Sequence, residues 1–207
     1  MMKRLNAVRT EGSAGALAVD DVEATPERAG RRGPAAWAAV WRRWPAALAV
    51  AAAGLMWGVD TVGGAQILLL LPMLYVVVAA VGRPLVVWPA LLAGTGLVFA
   101  LHLQNRIDVA TALLVVAAAV GGAGLLRRAG RAETAVQLVG LLVFGGVAVL
   151  ALHTGPELAR VLVAAGWLSH GLWDLLHLRR RGVVPAAYAE WCAVLDVLVG
   201  VSLLVTY

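Results

Sequence analysis

Lysine is almost missing from this sequence: Lys3 stands alone against sixteen arginines. A retinal protein needs a Lys Schiff base inside its bundle, and Lys3 lies near the amino terminus, so no retinal cofactor is expected. Cysteine is equally scarce. The single Cys192 excludes an internal disulfide and offers no thiolate metal framework. Charge is scarce as well, at 14% of residues against 61% hydrophobic, where soluble domains run to about a quarter charged and half apolar. No P-loop, dinucleotide fingerprint, nucleophile elbow, HExxH or repeated histidine box is present.

What remains is apolar. The mean hydropathy is +0.84, and charges are absent from long stretches, so lipid must supply the coat that polar residues give a soluble protein. The net charge of +5 would suggest nucleic acid in a soluble chain. Here the arginines cluster between apolar runs, as in cytoplasmic loops, and no nucleic-acid partner is expected. The Arg, Ala, Val, Gly and Leu bias fits a GC-rich bacterial genome. The expected location is therefore a bacterial cytoplasmic (inner) membrane, with several passes.

Residues 1–33 mix both charge signs and lack aromatics. They read as a disordered cytoplasmic tail, and Ala14–Val19 is too short an apolar stretch for a signal peptide. In residues 34–44, Trp37, Trp41 and Trp44 with Arg42 and Arg43 suit a short interfacial helix. Seven apolar runs follow, at about 45–59, 65–82, 85–103, 109–126, 134–152, 157–177 and 185–205. The fold class expected is an all-α polytopic membrane bundle of about seven spans over residues 34–207. With the amino terminus inside and the carboxyl terminus outside, 15 basic residues fall on the inner side and only Arg106 and Arg160 on the outer. That distribution obeys the positive-inside rule. Ala117 with Gly121, Ala118 with Gly122, and Gly140, Gly145 and Gly146 offer small faces for helix packing.

Ionisable groups within spans are costly and need a reason. They gather in the final hairpin. His170, Asp174 and His177 are spaced i, i+4, i+7 on one helical face, and Tyr188, Cys192 and Asp196 form a stripe on the next helix. With the turn near residues 180–184, antiparallel pairing puts His170 beside Asp196, Asp174 beside Cys192 and His177 beside Tyr188 or Glu190. His170 and Asp196 would then lie about 18 Å from the inner mouth. Trp167 and Trp173, with Tyr188 and Cys192, are the candidate pocket walls. His102 and His153 fall at outer helix ends and read as interfacial, and Tyr75 has no obvious partner.

Three readings of the cluster are open: a metal-dependent enzyme first, a transporter as its alternative and a structural subunit as the second alternative. His170, Asp174, His177 and Asp196 have ligand chemistry for a divalent metal. In that case His170, Asp174 and Asp196 are the catalytic candidates of an enzyme acting on a lipid or isoprenoid. The same groups suit a proton relay in a proton-coupled small-solute transporter. In the third reading they lock the hairpin in a structural or partner-binding membrane subunit. The partners expected are the lipid bilayer and, in the first reading, a lipid substrate.

The run from His170 through Trp173, Asp174 and His177, followed by Val184-Pro185, Tyr188, Cys192 and Asp196, resembles a group of small integral membrane proteins of actinobacterial type. Their penultimate helix carries H-x-x-W-D-x-x-H, and their function is not established. The likeness covers about the last 40 residues, with Tyr75, Arg83-Pro84 and Trp88 as a fainter second match. It implies that the hairpin is the site, and says nothing of reaction or substrate.

Overall fold

A computed structural model describes Trp41, residues 43–180 and residues 182–206. The expected tail of residues 1–33 and most of the expected interfacial helix lie outside the described residues. The rest is all-helical: α1 (Trp44–Leu55), α2 (Thr61–Val81), α3 (Val87–Gln104), α4 (Val109–Leu126), α5 (Arg131–Leu152), α6 (Pro156–Arg180) and α7 (Ala186–Val205). A single 3-10 turn, Pro84–Val86, leads into α3.

Five helices are long and apolar enough to cross a membrane: α2, α3 with its leading turn, α4, α5 and α7. This gives the chain the character of a multi-pass membrane protein. α6 has the length, but His170, Asp174 and His177 interrupt its apolar run. The first expected span, 45–59, is cut short. α1 stops at Leu55 after 12 residues, roughly 18 Å against a hydrocarbon core of ~30 Å, because the chain turns through Gly58 at φ +81°.

The helix limits follow from local chemistry. Asp60 caps α2 by accepting from the Gly63 N–H at 2.7 Å, and Asp108 caps α4 by accepting from the Thr111 N–H at 2.8 Å. Gly82 closes α2 in the left-handed region at φ 73°. Both α2 and α5 begin a few residues earlier than the apolar runs suggested, since caps and first turns are polar and carry no hydropathy signal.

α2 is the axis of the bundle. Of its apolar window 83% is buried, against 17% for α3, and α3, α4, α5 and α6 all pack on it. Glycines make the approach possible. A Cβ at Gly94 of α3 would meet Leu70 Cδ1 at 2.6 Å, one at Gly124 of α4 would meet Ala80 Cβ at 2.8 Å, and one at Gly145 of α5 would meet Leu69 Cδ1 at 2.8 Å. On α6, Gly166 seats Leu68 and the Trp167 indole N–H donates to Gly64 O at 3.0 Å. α7 pairs with α6, and α1 lies on α7.

Not every small residue packs. A Cβ at Gly122 or Gly146 would meet nothing within 4 Å. Ala118 and Gly146 instead line an apolar groove of about 450 Å³ between α4 and α5. Leu92, Phe99, Leu103, Val115, Leu142 and Leu172 are exposed on the outer faces, as lipid contact allows and water does not.

Candidate functional site: a buried Tyr–Asp–His–Asp cluster

The α6–α7 hairpin closes tightly because Gly171 passes Ala193 O and Gly200 passes Ala164 O, where a Cβ would lie 3.4 Å and 3.2 Å away. That approach brings His170 and Asp196 into contact. The imidazole Nδ1 lies 2.7 Å from Asp196 Oδ2 and 3.3 Å from Asp174 Oδ2, and all three side chains are fully buried. The i, i+4 step on α6 places Asp174 on the His170 face, and α7 supplies Asp196 from the other side.

A third helix completes the group. The Tyr75 hydroxyl of α2 donates to Asp174 Oδ1, and the Phe144 ring of α5 packs edge-on against His170 at 4.9 Å between centroids. His170 Nε2 and Asp196 Oδ1 have no hydrogen-bond partner among the described residues. Two carboxylates and one imidazole thus share a dry site. Burying net charge without a partner is expensive, so the electrically neutral arrangement is favoured. It pairs an imidazolium with one carboxylate and one carboxylic acid, or a neutral imidazole with two acids.

His170, Asp174 and Asp196 are brought together; one ligand atom from each lies within 4.8 Å of the others. His177 stands apart from that trio, contrary to the four-residue set read from the sequence. Its Nδ1 donates to Trp173 O at 3.0 Å, and its Nε2 is 3.1 Å from Gln137 Nε2. Its ring lies on Tyr75 at 4.8 Å between centroids, not on Tyr188 or Glu190. Through His177 the last turn of α6 meets α5 and α2.

The four expected pocket residues divide. Tyr188 and Cys192 are fully buried on the cluster side of α7, with Tyr188 edge-on to Trp88 at 5.4 Å. Trp167 and Trp173 do not flank one face. Trp167 is buried against α2 through Gly64, while Trp173 is half-buried against Gly140 and Phe144 of α5. Six residues separate them, about 120° around the helix. Glu190, off the stripe, pairs with Arg43 at 3.0 Å. His102 and His153 each turn Nδ1 back to a carbonyl of their own helix, Val98 O at 2.9 Å and Val149 O at 2.8 Å.

Sequence reading missed Tyr75 as a partner of Asp174 and missed Gln137 altogether. Each is an isolated polar residue in an apolar helix, and the rule that such groups find partners was the available signal. No family model, curated protein or solved structure matches this chain.

Proposed function

We propose that the chain is a seven-span protein of a bacterial cytoplasmic membrane, with its amino terminus inside, and that its buried cluster binds and releases a proton to drive transport of a small solute. One observation carries the reading. A single imidazole sits between two carboxyl groups in the middle of the bundle, all three with no exposed surface. The cluster is neutral with the extra proton and carries one negative charge without it. That charge difference, in a medium that penalises charge, is the property a coupling site needs.

The inner-side excess of basic residues, 15 against 2, supports the orientation. The Arg43–Glu190 pair joins the start of α1 to the start of α7, which agrees with both starts lying at one face, as an odd number of crossings from α1 through α7 would need. Infrared spectroscopy tests the function: a buried protonated carboxyl band, lost on Asp174→Asn or Asp196→Asn, supports the reading, and its absence removes it.

A second reading, a metal-dependent enzyme acting on a lipid, rests on the ligand atoms of the trio lying within 4.8 Å of one another. His170 Nδ1 is already in hydrogen-bond contact with Asp196 at 2.7 Å, so an ion bound through that nitrogen must displace the hydrogen. Nε2, buried without a partner among the described residues, is the nitrogen left to a metal. Elemental analysis separates the readings: a stoichiometric transition metal that disappears in His170→Ala favours the enzyme.

A further inference from the structure

The cluster is sealed on one side and approached by polar groups on the other. On the outer side, toward Gly64, Trp167 is held by its bond to Gly64 O, and Leu68, Val163 and Leu203 are buried around it. Ser202 there turns its hydroxyl to Val199 O of its own helix. Gln66, within one turn of Gly64, is a second buried polar residue at this level, its Oε1 without a partner among the described residues.

On the inner side a cavity of about 310 Å³ opens among Val78, Ala79, Gly130, Glu133, Gly182 and Val183. The Glu133 carboxylate reaches the α6–α7 turn, 3.5 Å from where a Cβ of Gly182 would stand. About one turn deeper come Gln137, about 6 Å after Glu133, and Tyr75, about 4.5 Å before Val78. Thr134, next to Glu133 and packed against Gly124 of α4, has a fully buried hydroxyl with no partner among the described residues. Gln137 then meets His177, His177 lies on Tyr75, and Tyr75 donates to Asp174.

The Gln137–His177 contact has two states. Since Trp173 O accepts only, His177 Nδ1 carries a hydrogen, and Nε2 accepts from the Gln137 amide N–H in the neutral ring. A proton added at Nε2 needs an acceptor instead. Gln137 Oε1 is buried without a partner and supplies it when the amide turns over. Imidazole is suited to this because either ring nitrogen can carry a hydrogen or accept one.

We propose that protons reach the cluster from the inner cavity alone, by way of the Glu133 mouth, the Gln137–His177 pair and Tyr75. The inference rests on the proton-binding reading above. A proton from cavity water adds to His177 Nε2 as the Gln137 amide turns. When the ring swings to the Tyr75 hydroxyl, that oxygen takes the proton while its own hydrogen passes to Asp174 Oδ1, so Tyr75 ends unchanged. The groups around His177 are Tyr75 from α2, Gln137 from α5 and Trp173 from α6. Among the described residues, the charges at the mouth include Glu133, Arg83 between the lining Gly82 and Pro84, Arg127 bound to Ala80 O and Arg131 bound to Leu125 O.

The experiment is a pH jump on the full-length chain in lipid nanodiscs, following the infrared band of the protonated carboxyl. Its amplitude reports the cluster and its rate reports the route. His177→Phe is expected to keep the amplitude and slow the rate by roughly a hundredfold, the lower end for loss of a positioned proton-transfer group. Gln137→Leu and the surface variant Glu133→Gln are expected to slow it as well, and Trp167→Phe to leave it unchanged. Unchanged rates in His177→Phe and Gln137→Leu, or acceleration by Trp167→Phe alone, overturn the route while the cluster stands. If His177→Phe does not fold, Gln137→Leu and Glu133→Gln decide. A wild-type chain without the band overturns the cluster and the route together.

Discussion

Tyr75 of α2 donates its hydroxyl hydrogen to Asp174 of α6, 99 positions further along the chain. The bond ties the axis of the bundle to the hairpin that carries the cluster. Tyr75→Phe keeps the ring and removes the donor, leaving Asp174 Oδ1 buried and unpaired. The variant is expected to lose about 1–3 kcal/mol, read by unfolding in detergent. Wild-type stability in Tyr75→Phe would show that the bond does not form.

The His170–Asp196 contact at 2.7 Å should appear as coupling. In a double-mutant cycle with His170→Ala and Asp196→Ala, the two losses are expected to differ from additivity by about 0.5–3 kcal/mol. Small, additive losses would mean that the two side chains do not hold each other.

Asp108 gives a pH signature far from the site. Hydrogen bonds from the Thr111 N–H, then from the Thr111 hydroxyl, hold its carboxyl below the ordinary value of 3.8. A depressed carboxyl contributes stability above its unfolded value, and that contribution is lost as pH falls through the folded one. Asp108→Ala is therefore expected to cost about 1 kcal/mol at neutral pH, as for loss of a helix cap. Thermal melts should show the difference from wild type narrowing below the ordinary carboxylate range. A difference constant with pH would sink this assignment.

Orientation can be read by labelling. The native Cys192 is fully buried and serves as a silent background. In intact cells, an impermeant maleimide is expected to react with Gly155→Cys and to miss Arg128→Cys until the membrane is opened. The reverse pattern would invert the topology.

Much of the fold was legible because lipid enforces long apolar runs, and the helices lie within a few residues of those runs. α1 is the exception, since the turn at Gly58 follows its end in a stretch that reads as continuously apolar. Within the site, the nearness of His170 to Asp196 followed from their equal distance to a short turn. Contacts between remote helices did not follow. Spacing places His177 on the face of Asp174, but only tertiary packing decides that this turn meets Gln137 of α5 and Tyr75 of α2. Trp167 and Trp173 are a different case: their six-residue spacing, about 120° around the helix, already sets them on different faces.

The most direct test of the account is the infrared pH-difference spectrum of the full-length chain in lipid. The account predicts a protonated carboxyl band that titrates, disappears in Asp174→Asn or Asp196→Asn, and changes when His170 becomes Ala. A spectrum without such a band, or one indifferent to all three substitutions, would contradict a proton-binding cluster and leave the trio to a metal or to structure alone.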